Sequence, residues 1–414
     1  MLTKLKEYKQ LDTSILNLIA VVFFVQLINV SFLAILPLYM KAEHFSDAQY
    51  AHFTSYRYLG MLALALFVGM YIKGRKILPL FYIASVGVPL FAFLIIVGVH
   101  IHSTSLLLFS HLLWGTCYTF IQIPVLPYIL RNAQKEQHTL AITLNFGTWS
   151  MASIFSGFLI AMLNGIDKEI FSERNLLLTI ATIGFSAIYF ILRVSKQERI
   201  PETNSKTANL KDYDWKIISR ALIPTTIIAI GAGFTVPFMS LFFANVHHMN
   251  TSTFSFLTFL SAIIVTIVAV YVPSIKSKFG YLRAIPTTQS IAICALILMA
   301  TTQYYADLSI AVVIAAVFFV LRQPFMSAAV PMTSEVTMKY VGQRNREMVS
   351  ALTSSIWSGS AYFSAIGFGI LRHLQVNYVN IFLITAVTYI VGVTMYYFLL
   401  VDFYKREKLG LVTD

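Results

Sequence analysis

Trp149–Ser156 reads WSMASIFS and Trp357–Ser364 reads WSGSAYFS, two segments half the chain apart that agree at four of eight positions. The agreement runs backwards as well: Pro124 precedes the first tryptophan by 25 residues and Pro331 precedes the second by 26. Between the copies lies Ser195–Asp214, SKQERIPETNSKTANLKDYD, charged and Pro- and Asn-containing, with the composition of a solvated linker. A segment repeated in the same direction on either side of a polar linker predicts two similar halves, a parallel internal repeat.

Each half carries the same kind of material. Of 414 residues, 57% are hydrophobic and 12% charged, against roughly 45–50% and 25% in soluble domains, so a fully aqueous surface is excluded. About 20 apolar residues cross a bilayer core. Runs of that kind stand at 15–39, 47–72, 78–99, 104–130, 139–163 and 175–194, then at 217–245, 252–273, 283–304, 307–335, 347–372 and 377–402. The first run follows Lys4, Lys6 and Lys9 like a signal peptide, yet continues to about Tyr39, too far for a cleaved segment. The expectation is an all-α membrane protein of twelve transmembrane helices in two pseudo-symmetric six-helix bundles, 1–194 and 215–414, joined by a cytoplasmic loop at 195–214.

The net charge of +12 is distributed as a topology signal rather than as a nucleic-acid face, because the basic residues fall in short clusters between apolar runs. With a cytoplasmic N-terminus, 24 of the 30 Lys and Arg lie inside, leaving Lys41, Lys168, Arg174 and Arg372 outside and Arg57 and Arg322 within spans. The positive-inside rule then puts both termini in the cytoplasm. With no organelle-targeting segment in the chain, the expected location is a bacterial inner membrane. Cys117 and Cys294 lie in apolar runs of opposite halves and are expected in the core, without disulfide or zinc chemistry.

Span number, central loop and repeat together resemble the major facilitator superfamily over the whole length. The family's signature after the second span is a glycine, an aspartate, then Gly-Arg-Lys. Here it stands as Gly69, Lys73, Gly74, Arg75 and Lys76, shortened and without the acid. The second copy, Pro273 to Arg283, keeps Lys278, Gly280 and Arg283 but has Ser277 where the acid belongs. Glycines permit the tight turn and basic residues hold the loop at the anionic leaflet. The resemblance implies a cytoplasmic gate at these residues; the missing acids leave its charge relay unfilled, with Glu335, Arg344, Arg346 and Glu347 either a substitute or a solvated loop.

Deep in the spans the charges are positive. Arg322 lies about 20 Å from either end of its run at 1.5 Å per residue, and such groups default to function; the alternative is that it binds backbone freed by Pro324. Arg57 is about 15 Å from the outer end of its span and serves either the solute or the packing. One forked donor from each half would suit a carboxylate or phosphate. His111, in His111-Leu-Leu-Trp114-Gly115, stands where drug exporters of the family carry the arginine of an Arg-x-x-x-Gly pattern, and is either a proton relay or a packing histidine. Gln26 and Asn29 share a helix face. Asn145, Gln323, Trp149 and Trp357 are further candidates for contact with solute, the tryptophans equally for interface packing. In the seventh span, Gly231, Gly233 and Pro237 either loosen the helix or permit close packing.

No P-loop, metal-ligand spacing or soluble catalytic domain is present in the sequence, so an enzyme, a cofactor and a nucleic-acid partner are not expected. The resemblance implies a secondary transporter with a central site worked by alternating access in the lipid bilayer; the two arginines point to a small organic solute, anionic or strongly hydrogen-bonding, and without soluble appendages the expected state is a monomer. Two alternatives are a proton-linked multidrug exporter using His111 and a non-transporting sensor or scaffold with the same fold.

Overall fold

The computed structural model describes residues 11–72, 75–134, 137–200 and 213–409. Among them the chain is helical without strands. The helices are α1 (Thr13–Ala42), α2 (Asp47–Tyr71), α3 (Leu78–His100), α4 (Thr104–Gln122), α5 (Val125–Asn132), α6 (His138–Ile166), α7 (Glu173–Gly184) and α8 (Ser186–Ile191). After the central loop come α9 (Trp215–Thr235), α10 (Met239–Val246), α11 (Thr251–Thr301), α12 (Ser309–Val341), α13 (Arg346–His373) and α14 (Tyr378–Lys408).

Starts and stops follow local chemistry. The Asp12 side chain accepts from Ser14 N at 2.7 Å, Asp214 from Lys216 and Ile217 N at 3.1 Å, and Asn250 from Thr253 N at 2.8 Å, each satisfying a free first-turn amide. Helix ends turn through left-handed residues, His44, His102, His248 and Gln375. The amides of Phe45, Ser103 and Val376 then close back on Met40, Gly98 and Leu371 at 2.9–3.0 Å, the wrapped C-terminus of a Schellman turn.

Ten helical segments among the described residues are long and apolar enough to cross a membrane. Two differences from the sequence reading separate that number from twelve. The runs at 252–273 and 283–304 lie in one element, α11, interrupted at Gly280, whose φ of 65° and ψ of 171° are not helical. Helix α13 has the length, 28 residues, but Ser354, Ser355, Ser358 and Ser360 dilute its hydropathy. Where the sequence reads single runs, α4 and α5 part at Pro124, α7 and α8 at Phe185, and α9 and α10 at the 3-10 turn Val236–Phe238 around Pro237.

The chain divides into two compact units, residues 1–46 with 56–205, and residues 47–55 with 206–414. The first turns of α2 thus cluster with the second unit. In the first unit, a Cβ at Gly60 would run into the carbonyl of Leu112 and one at Gly115 into the carbonyl of Arg57, so two glycines bring α2 and α4 into backbone contact. In the second, Gly231 lies against the Tyr389 ring and Gly233 against Ser364: these glycines pack closely, while Pro237 ends the helix. Cys117 is buried, but Cys294 is exposed on the outer face of α11, a correction to its expected core position. An apolar run is apolar all round, so its sequence does not show which face turns inward.

Candidate functional site

Arg322 is 2% exposed, about 20 Å along α12 from its start. Pro324 lacks the amide that would bond Val320, yet the guanidinium reaches a side chain: its Nη2 donates to Tyr389 Oη at 3.4 Å. No carboxylate among the described residues pairs with it within 4 Å. Arg322 lines a cavity of about 230 Å³ within the second unit. Gln289 of α11, Gln323 and Thr333 of α12, Trp357 of α13 and Tyr389 and Tyr396 of α14 share that wall. Gln289 is 4% exposed and its Oε1 has no hydrogen-bond partner. Thr225 Oγ1 and Tyr396 Oη meet at 2.7 Å. Chemically, the wall can hold an acceptor or an anion against a buried cation.

The other deep arginine has a different setting. Arg57, buried in the first unit, gives Nη2 to Asn29 Oδ1, and its Cζ stands 3.9 Å from the Trp114 ring centroid, a cation–π contact. Asn29 Nδ2 donates to Gln26 Oε1 at 3.1 Å and to Tyr118 Oη at 3.3 Å, and Tyr118 donates to Gln26 at 3.0 Å. Gln26, Asn29, Arg57, Trp114 and Tyr118 therefore form one network that engages the arginine by an amide and an indole face. His111 is buried, and its Nδ1 donates to Leu107 O at 2.9 Å. Asn145 is buried, and its backbone carbonyl accepts from Thr148 Oγ1 at 2.6 Å. Although Trp149 and Trp357 correspond in the repeat and are both 42% exposed, only Trp357 lines the Arg322 cavity.

Around the first signature loop, Gly69 has open space about its Cα, Gly74 and Lys73 lie outside the described residues, Arg75 packs on the Tyr71 ring at 5.0 Å, and Lys76 is exposed. An acid from outside the motif lies beside this loop: Glu198 accepts from Ile77 and Leu78 N at 2.8 and 3.1 Å. Arg131 lies 3.9 Å from Glu198 and donates to Ile72 O and Arg75 O at 2.7 and 3.2 Å. At the second loop, Ser277 donates to Ser274 O at 3.0 Å, Lys278 lies 5.5 Å from the Phe279 ring, Gly280 makes the left-handed turn and Arg283 is exposed. Glu335 does not end its helix, which runs on to Val341. It pairs with Lys276 at 2.7 Å and Lys339 at 3.5 Å, whereas Arg346 donates to Met338 O at 3.1 Å. The side chains of Arg344 and Glu347 lie outside the described residues.

Sequence reasoning missed several of these groups. Tyr389 and Tyr396 are seven residues apart, two turns along one face of α14, a spacing that was available as a signal. Gln289 is the single amide between Ala284 and Ala300, in the polar cluster Thr287-Thr288-Gln289-Ser290 of an apolar run, and such residues mark interior faces of membrane helices. Glu198 carried no signal, since its partners are backbone amides. Nor did Asp47, which accepts from Tyr378 Oη at 2.6 Å, Arg372 Nε at 3.0 Å and Asn245 Nδ2 at 3.2 Å within the second unit. Among the described residues no three His, Cys, Asp or Glu side chains gather as metal ligands do.

Comparison with known proteins places this architecture. No curated protein sequence matches the chain. By structure it is similar to a D-xylose-proton symporter (TM-score 0.72, 10% identity, covering 92% of this chain and 95% of that one). It is also similar to the POT family transporter PepTSo (0.71, 13%, 95% and 98%) and to the nucleoside transporter NupG (0.70, 15%, 92% and 99%). The family model of the Major Facilitator Superfamily matches residues 18–365. The chain is thus a multi-pass membrane protein that belongs to the Major Facilitator Superfamily of transporters.

Proposed function

We propose that the chain is a monomeric secondary transporter that moves a small anionic solute by alternating access, holding it against Arg322. The carrying observation is that Arg322 is buried with a single neutral hydroxyl partner and no carboxylate among the described residues, on the wall of a cavity of about 230 Å³. A buried cation without a counter-charge is costly, and an anion entering the cavity supplies one. That volume lies below the roughly 300–1,000 Å³ typical of drug-sized ligands, which supports a small solute over an amphipathic drug.

The topology proposed with it is twelve spans in two six-helix halves, 1–194 and 215–414, about a cytoplasmic loop at 195–214, with both termini in the cytoplasm of a cell whose plasma membrane holds the protein. Two observations support the number. Gly280 divides α11 into two arms, each meeting the roughly 20 residues that a span needs, and α13 has 28 residues. The positive-inside distribution supports the orientation.

The test is uptake and exchange in proteoliposomes across labelled anions, sugars, peptides and cationic dyes, for the native protein, Arg322→Ala and His111→Ala. Anion flux lost with Arg322→Ala upholds the reading. Dye transport that needs a pH gradient and His111, and survives Arg322→Ala, overturns it in favour of a drug exporter. Absence of flux for every class points to a non-transporting role.

A further inference from the structure

Granting the anion at Arg322, the remaining wall of the same cavity specifies what else the solute carries. Gln289 Oε1 is buried there without a donor. Two lining threonines have committed their protons to backbone: Thr333 Oγ1 donates to Ala329 O at 3.0 Å and Thr353 Oγ1 to Val349 O at 2.7 Å. A hydroxyl that has given its proton presents only lone pairs. The Thr225–Tyr396 pair, at 2.7 Å, likewise spends one of its two protons internally. Beyond the guanidinium, then, the wall offers acceptors at Gln289 Oε1, Thr333 and Thr353 beside groups that both donate and accept, Gln323, Ser327 and Ser334, and the unmet buried acceptor of Gln289 costs free energy until a donor arrives.

The donors on the solute are neutral ones. Arg322 is the one charged residue among the described residues lining the cavity, with no Asp or Glu there to receive an ammonium group. One guanidinium matches one negative charge. We infer that the site takes a small hydroxylated monoanion, chemically a polyhydroxy carboxylate such as a sugar acid. Its carboxylate lies on Arg322 and its hydroxyls donate to Gln289 Oε1 and the threonine oxygens. Trp357 and Met326 supply the apolar side of the wall, against which the carbon chain packs.

The experiment is counterflow of labelled gluconate in proteoliposomes, with gluconate, hexanoate, sorbitol and glucosamine as competitors, in the native protein, Gln289→Met and Arg322→Gln. Expected is gluconate counterflow in which hexanoate, of equal charge but without hydroxyls, competes at least about tenfold less well. Sorbitol and glucosamine do not compete. In Gln289→Met the gluconate preference over hexanoate shrinks while dependence on charge stays. Hexanoate equal to gluconate in the native protein, or hexanoate flux without gluconate flux, overturns the hydroxylated class and leaves the anion reading standing. Counterflow driven by sorbitol or glucosamine, insensitivity to Arg322→Gln, or no flux of either acid overturns both. The competitor ratio in native protein decides even where Gln289→Met does not fold.

Discussion

Arg322 and Tyr389, 67 positions apart in sequence, are joined by a hydrogen bond of 3.4 Å between guanidinium and phenol, tying α12 to α14 at the wall of the cavity. The bond points the fork of the arginine. Tyr389→Phe removes the partner and leaves the ring that packs on Gly231. A buried hydrogen bond of this kind contributes about 1 kcal/mol. The expected outcome is a several-fold weaker apparent affinity for anions with a modest fall in melting temperature in detergent, read by transport kinetics and thermal unfolding. Unchanged affinity removes Tyr389 from the site.

Gly115 gives a sharper structural prediction. Its Cα faces the backbone carbonyl of Arg57 and Gly60 faces that of Leu112, so neither contact relaxes by side-chain rotation. Gly115→Ala pushes α2 from α4 and disturbs the Arg57–Asn29–Trp114 network. Overpacking costs typically 1–3 kcal/mol. The variant is expected to melt at a lower temperature than the native protein, and a melting temperature equal to native contradicts the close approach.

Glu198 tests the loop that lacks the family's aspartate. Its carboxylate, 1% exposed, caps α3 through the amides of Ile77 and Leu78 and faces Arg131. Charge favours both contacts, because the helix N-terminus and the arginine are positive. Glu198→Gln keeps the shape and loses the charge, which costs about 1–3 kcal/mol at a buried site. Thermal unfolding and proteolysis near the loop are expected to show a less stable protein; equal stability of Glu198→Gln and native leaves the capping carboxylate without consequence.

His247, in the turn after α10, is half-buried, with Nε2 at 2.9 Å from Thr302 Oγ1. Burial, and then the neighbouring His248, holds its pKa below the ordinary 6.5. As pH falls, the unfolded chain takes up this proton before the folded one does. The stability contributed by neutral His247 is therefore full above about pH 6.5 and is lost as the pH drops towards the folded pKa. Melting temperature is expected to decline on acidification through that window, with a shallower decline in His247→Gln. Identical slopes in the two proteins assign the acid sensitivity elsewhere.

Much of the architecture was legible because bilayers demand long apolar helices and the repeat around Trp149 and Trp357 survives as identity. Arg322 and Arg57 stood out for the same reason, as charges in apolar runs. The groups around Arg322 were hidden by the same apolar background. Tyr389 and Tyr396 read like any interfacial or lipid-facing tyrosine until α14 is packed, and Gln289 does not show which way it faces. The two arginines look alike in sequence; packing separates them, since Asn29 and the Trp114 ring take up one while the other lines a cavity. Near the two loops, the acids Glu198 and Glu335 meet Ile77 and Lys276, partners 121 and 59 positions away, pairings that local spacing does not encode.

The most direct test of the anion site is equilibrium binding of gluconate to purified native protein, Arg322→Lys and Arg322→Gln by titration calorimetry. Arg322→Lys keeps the charge and loses the fork, so binding is expected to weaken about tenfold to a hundredfold. Binding is lost in Arg322→Gln. Equal affinity in all three proteins contradicts the assignment of Arg322 as the group that holds the solute.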